Sequence, residues 1–187
     1  MMTYEKALEI LNKYGGGSAW TQHCLAVSNM AMHLSEVLTQ KFVINIEFLH
    51  CASLLHDIGR YVSHDPIMHG VEGYKLLKTL NYKEEAFVCA SHILYGLPRN
   101  EAVQFGLPAI DFEPKSIEEK LVPLIDFMIE FDEPTTLDRR FASLRERNFK
   151  NAFFMKKLKE AEKTAKGFML QLSEEIGESV EKIALSF

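Results

Sequence analysis

Apolar residues recur along this chain at three- and four-residue steps and alternate nowhere over a useful length, so the pattern predicts helices. Tyr4, Ala7, Leu8, Leu11 and Tyr14 form a first amphipathic stripe, ended by Gly15-Gly16-Gly17. Trp20, His23, Val27, Met30, Leu34 and Leu38 lie along a second, with Ser18 as its cap. Phe48, Leu49, Ala52, Leu55 and Ile58 mark a third helix over about Asn45 to Ile58, which Gly59 is placed to stop. A loop carrying His64, Asp65 and Pro66 leads to a fourth, marked by Val71, Tyr74, Leu77 and Leu80, with His69 at its first turn. Asn81 with Glu84 reads as a cap and its partner for a fifth helix running to about Tyr95.

Residues 96–115 are rich in Gly and Pro and leave room for one short helix around Asn100 to Phe105, an excursion or lid between longer helices. Ser116 and Glu119 form a capping box, and the helix behind it carries Leu121, Val122, Leu124, Ile125, Met128 and Ile129, with Pro123 expected to kink it. From about Asn151 to Ile176, Phe154, Leu158, Ala161, Phe168, Leu172 and Ile176 fall at roughly heptad spacing. That stripe reads as a packing helix or as a homodimer seam. The fold class is therefore all-α, a single-domain bundle over 1–150 with a helical extension over 151–187.

With 187 residues the chain can bury a core without disulfides or a structural metal. A formal charge of −5 argues against a nucleic-acid or anionic-membrane partner, while small anionic substrates stay open. Cys24, Cys51 and Cys89 are odd in number and lack C-x-x-C spacing, which fits a reducing cytoplasm better than a disulfide framework. Glu5, Lys6 and Glu9 stand where a signal peptide needs an apolar centre, and no run approaches the roughly 18 apolar residues of a membrane span.

Candidate chemistry changes the picture more than composition does. Each main helix offers a polar group on or beside its apolar face: His23, His56 with Asp57, His69, His92 and Asp126. An unpaired buried carboxylate is costly, so Asp126 calls for a cation, donors or a proton. Four imidazoles and two carboxylates suit divalent transition ions such as Fe, Mn, Co, Ni or Zn better than Ca or Mg. Six ligands from five separated sites suggest two ions about 3.5–4 Å apart with a shared carboxylate. His64 is an alternative to His69, being in the same loop, and His33 and His50 read as flanking residues.

The ordered set His23, His56-Asp57 and Asp126, with Leu54-Leu55-His56-Asp57-Ile58-Gly59-Arg60 around its centre, resembles the HD superfamily of metal-dependent phosphohydrolases in its HDIG form. The resemblance runs from about Trp20 to Ile129. It implies that His23, His56, Asp57 and Asp126 hold a first ion, and that His69 and His92 hold a second which Asp57 bridges. The layout is similar to the bacterial diadenosine tetraphosphate hydrolases of the superfamily and to a mainly archaeal set of small HDIG proteins. The implied reaction is hydrolysis of a phosphoester or phosphoanhydride in a small metabolite, a nucleotide or dinucleotide, with Asp57 and Arg60 at the catalytic centre. Arg60 is the first choice for binding phosphate because guanidinium pairs with it bidentately, followed by Lys75, Arg99, Arg139 and Arg140. A branch of di-iron oxygenases with the same six-ligand layout, and a metal-binding sensor without turnover, are the alternatives.

Overall fold

The computed structural model describes residues 2–187. Among them, ten α-helices run in the order α1 (Tyr4–Gly15), α2 (Ala19–Leu38), α3 (Ile46–Leu55), α4 (Met68–Thr79), α5 (Lys83–Ser91), α6 (Arg99–Gln104), α7 (Ile117–Asp126), α8 (Leu137–Asn148), α9 (Ala152–Ile176) and α10 (Val180–Leu185). Single 3-10 turns follow α3 and α5, at Ile58–Tyr61 and Ile93–Tyr95. Among the described residues the fold is all-α apart from one hairpin of two-residue strands, β1 (Ile129–Glu130) and β2 (Glu133–Pro134), and an isolated bridge between Leu97 and Phe112. No helix among the described residues is long and apolar enough to cross a membrane.

The expected stripes are the buried ones. Ala7, Ile10 and Leu11 of α1 pack with Leu54, Leu55 and Ile58 in one apolar cluster, while α2, α7 and α9 share the larger one. Helix α3 lies at the centre, against α1, α2, α5 and α7. The heptad stripe of α9 is taken up by this chain's own core: Phe154, Leu158, Ala161 and Leu172 are buried, and Phe168 and Ile176 pack against them. Burying such a stripe supplies about 25 cal/mol per Å² of apolar surface and is what holds a helix of this composition in place.

Five local expectations are corrected. The third helix ends at Leu55, not Ile58, because the chain turns at His56 and Asp57 into a 3-10 segment. Gly59 then serves close approach and not a left-handed cap: a Cβ there would collide with the His69 carbonyl and the Gly73 amide of α4. Asn81 closes α4 and does not open α5. Its φ is +68°, its amide donates to Lys78 O and the Tyr82 amide to Leu77 O, which is the paired hydrogen bonding of a left-handed helix terminus. The fifth helix correspondingly stops at Ser91, short of Tyr95, and Leu94 and Tyr95 both take positive φ. The Ser116–Glu119 capping box forms as read, yet that helix ends at Asp126. Met128 and Ile129 leave it for the hairpin, whose Phe131 turns at φ +59°.

Candidate metal centre

Helix ends build this site. His56 and His92 cap the C-termini of α3 and α5, and Asp126 is the last residue of α7. His23 comes from the second turn of α2, His69 from the start of α4, and Asp57 from the turn after His56. The last turn of each helix carries uncompensated carbonyls and partial negative charge. Three such termini converge here with two carboxylates, an environment that favours a cation.

The histidines are oriented in one way. His23 Nδ1 is 2.6 Å from Phe131 O, His56 Nδ1 2.7 Å from Ser53 O, His69 Nδ1 2.8 Å from Asp65 O and His92 Nδ1 2.8 Å from Cys89 O. A carbonyl only accepts, so each Nδ1 carries the hydrogen and a neutral ring presents a bare lone pair at Nε2. A hydrogen bond from the far ring nitrogen to a fixed carbonyl is how proteins orient metal-binding imidazoles. The four Nε2 atoms face the two carboxylates: His23 is 2.9 Å and His56 3.9 Å from Asp126 Oδ1, while His69 is 2.9 Å, His92 3.5 Å and His56 3.8 Å from Asp57 Oδ1. His69 Nε2 and His92 Nε2 are 3.4 Å apart.

Such a cluster fits metal. The His56 ring is fully buried, its Nε2 has no hydrogen-bond partner, and it faces both carboxylates. Ligand atoms of His23, His56 and Asp126 lie within 4.8 Å of one another, as do those of His56, Asp57 and His92. His56 thus belongs to two adjoining groups, one on each side. Nitrogen and carboxylate donors together suit the transition series.

Titration follows from burial and charge. Burial lowers the His56 pKa to about 4 against the pull of Asp57 and Asp126, and it lowers that of His69 against Asp57. Burial acts the same way on His23, but its hydrogen bond to Asp126 prevails and raises it. Both carboxylates are held below the usual range despite burial, Asp57 by Arg60, His69 and His56, and Asp126 by His23, His56 and Arg140. Ionised carboxylates and mostly neutral imidazoles are the forms that ligate metal.

Beside the cluster lies a cavity of about 500 Å³ lined by Trp20, Gln22, His23, Asp57, Arg60, His64, Phe131, Arg140 and Arg147. A smaller pocket of about 70 Å³ reaches His69 and His92 from the other side, and Arg60 and Arg140 line both. Arg60 donates from Nε to Asp57 Oδ2, so it grips a candidate ligand as well as facing the cavity. His64 is exposed at the cavity wall, while His69 is the one in the cluster. Lys75 and Arg99 are not brought to the site: Lys75 pairs with Glu72 on the outer face of α4, and neither lines the cavity. From sequence alone Arg140 is only a weaker candidate, and nothing marks Phe131, whose carbonyl orients His23. Only the basic run from Arg139 to Arg147 signalled that α8 brings charge to the site.

The HD domain family matches residues 20–127, more than half of the chain, and the chain belongs to that family. An uncharacterised protein of Methanocaldococcus jannaschii is 38% identical over 68% of this chain and 76% of its own length. Two proteins named tRNA (cytidine(56)-2'-O)-methyltransferase, from Thermoplasma volcanium and Picrophilus torridus, are 28% and 27% identical over 78% and 83% of this chain. The chain spans only 42% and 45% of their lengths. No solved structure gives a significant match. HD domains bind divalent metal ions and are generally hydrolases of the phosphohydrolase type.

Proposed function

We propose that this protein is a metal-dependent phosphohydrolase that cleaves a phosphoester or phosphoanhydride bond of a small metabolite, a nucleotide or dinucleotide. The observation that carries the reading is the set of four Nε2 atoms turned onto Asp57 and Asp126 at the wall of an arginine-lined cavity. Two divalent transition-metal ions, Fe, Mn, Co, Ni or Zn, held by His23, His56, Asp57, His69, His92 and Asp126 would supply Lewis-acid stabilisation and a lowered water pKa.

The protein's own groups do the rest. Arg60 keeps Asp57 ionised and fixes its second oxygen, so Oδ1 is the one left to face His56, His69 and His92. The guanidinium groups of Arg60, Arg140 and Arg147 put fixed positive charge where phosphoryl oxygens would lie, and their orientation is set before substrate arrives. Trp20 and Phe131 add flat apolar walls suited to a base or another planar group. A cavity of about 500 Å³ is of the size that holds a small ligand, and with the net charge of −5 it favours a metabolite over a polynucleotide. The two methyltransferase-named relatives extend well beyond the part they share with this chain, so their named reaction lends it no support.

The test is a screen of phosphate release from nucleotides and dinucleotides by protein loaded with Mn or Co, run without oxygen. Release under those conditions supports hydrolysis. Turnover seen only with iron and O₂ would assign the site to oxygenase chemistry, and metal binding with no turnover in either arm would leave a sensor.

A further inference from the structure

The two guanidinium groups nearest the His–Asp cluster are in opposite situations. Arg60 is committed to Asp57 through its Nε. The Arg140 side chain is only 11% exposed, yet its contacts are long: Nη2 is 3.8 Å from Asp126 Oδ1 and Nη1 3.6 Å from Glu130 Oε1. Its Nε is buried with no hydrogen-bond partner. Guanidinium has five N–H donors, and leaving them unused away from water is costly. The attraction of Asp126 and Glu130 holds the group in place without satisfying it, and it faces both the large cavity and the small pocket.

Arg147, two turns further along α8, reaches the same Glu130 oxygen at 3.1 Å and lies over the Phe131 ring at 5.9 Å. Two guanidinium heads therefore converge on one carboxylate at the cavity wall. Asp126 faces His23 at 2.9 Å as well as Arg140 at 3.8 Å, so neither carboxylate near Arg140 is spent on it alone. The crowding shows at Arg147, whose pKa is lowered by burial and by Arg140 against the pull of Glu130.

We propose that Arg140 and Arg147, both outside the stretch matched by the HD family, form a two-position phosphoryl clamp. Arg140 takes the oxygens of the phosphoryl group beside the cluster, and Arg147 those of a second one towards solvent. The site therefore prefers molecules with two adjacent phosphoryl groups over monophosphates. This rests on the phosphohydrolase reading and deepens it. Bidentate guanidinium contacts to two oxygens of one group are what Arg offers and Lys does not.

Calorimetric titration of manganese-loaded protein with inorganic phosphate and with methylenediphosphonate tests the clamp, with metal content measured afterwards. The wild type should bind the diphosphonate at least tenfold more tightly. Arg147→Gln should bring the two affinities together with manganese content and Tm unchanged, and Arg140→Gln, compared at equal manganese loading, should weaken both at least tenfold. Arg140→Lys keeps the charge beside Asp126 without the planar fork, and should lose several-fold affinity at full metal content. Wild-type anion affinity in the Arg140 variants overturns the clamp. So does loss of manganese and a lower Tm in Arg140→Gln with anion affinity recovered in Arg140→Lys, which makes Arg140 a structural counterion of Asp126. Binding is read without turnover: anion affinity that depends on Arg140 in a protein that hydrolyses nothing refutes the phosphohydrolase reading alone, and the converse result refutes the clamp alone.

Discussion

His69 Nε2 and His92 Nε2 face each other at 3.4 Å while the Nδ1 of each ring is spent on a backbone carbonyl, so both Nε2 atoms converge beside Asp57 Oδ1. A cation held by these residues would give the converging donors a shared partner. The expected content is two ions per chain. His92→Ala should retain one, on the side of His23 and Asp126, whereas His56→Ala should lose both because His56 belongs to both groups of ligand atoms. Elemental analysis showing one ion in the wild type and no change in His92→Ala would leave a one-ion site.

Those six residues were legible in the sequence because helical periodicity marks what points inward, and His23, His56, His69, His92 and Asp126 stood on or beside the apolar stripes. The turns were less legible. Asn81-x-x-Glu84 satisfies the pattern of a helix start, but a left-handed Asn at a helix end uses the same residue type, and only the Leu77 and Lys78 carbonyls decide between them. Periodicity also cannot tell where a buried helix stops, so Met128 and Ile129 read as helix although they lead into the hairpin. Arg140 stands only as a weaker candidate in the sequence for a further reason. Its worth lies in where α8 puts it relative to Asp126, a contact spanning separate elements that no local pattern encodes.

Removing metal should cost stability. An ion that binds only the folded chain contributes about 2.7 kcal/mol when present at 100 times its Kd, and more at higher saturation. Chelation should therefore lower Tm, with His56 Nε2 left buried and unpartnered. A scanning-calorimetry trace that is the same with and without chelator would show the ligands to be dispersed.

The metal-free protein should also lose stability with acid in a defined window. Unfolded, the His56 ring titrates near 6.5, and folded it does so only near 4. Below pH 6.5 the unfolded chain takes up a proton that the folded one refuses, so this contribution is complete above that pH and disappears as pH falls towards 4. It amounts to about 3 kcal/mol. His69, lowered in the same direction, adds to the loss. His23, raised, contributes stability that is constant below 6.5 and is lost only as pH rises through its folded pKa, so it does not mask the effect. In His56→Asn the fall between pH 6.5 and 4.5, measured by urea midpoint, should shrink.

Gly59 lies against α4, with the His69 carbonyl where its Cβ would go. Gly59→Ala must displace the first turn of α4, which carries His69. The expected destabilisation is about 1–3 kcal/mol, the usual cost of overpacking, together with loss of the ion on the His69 and His92 side. Urea unfolding and elemental analysis of the same preparation check both parts; a variant with wild-type stability would mean that α4 yields freely.

The sequence leads one to expect Arg60 to touch substrate, and its contact with Asp57 Oδ2 changes what its removal should do. A carboxylate that bonds a guanidinium through one oxygen directs the other, here Oδ1 towards His56, His69 and His92. Without Arg60, Asp57 is free to rotate and loses the first of the opposing charges that hold its pKa down. Loss of such an outer-shell partner typically costs about 10–100-fold in metal affinity. Arg60→Ala should therefore weaken manganese binding by that much in addition to any rise in KM. Arg60→Lys, which restores the charge but not the directed Nε–H, should recover part of the affinity. If metal affinity in Arg60→Ala equals the wild type and only KM rises, then Arg60 serves substrate alone and the orientation of Asp57 is set by its neighbours on α3 and α4.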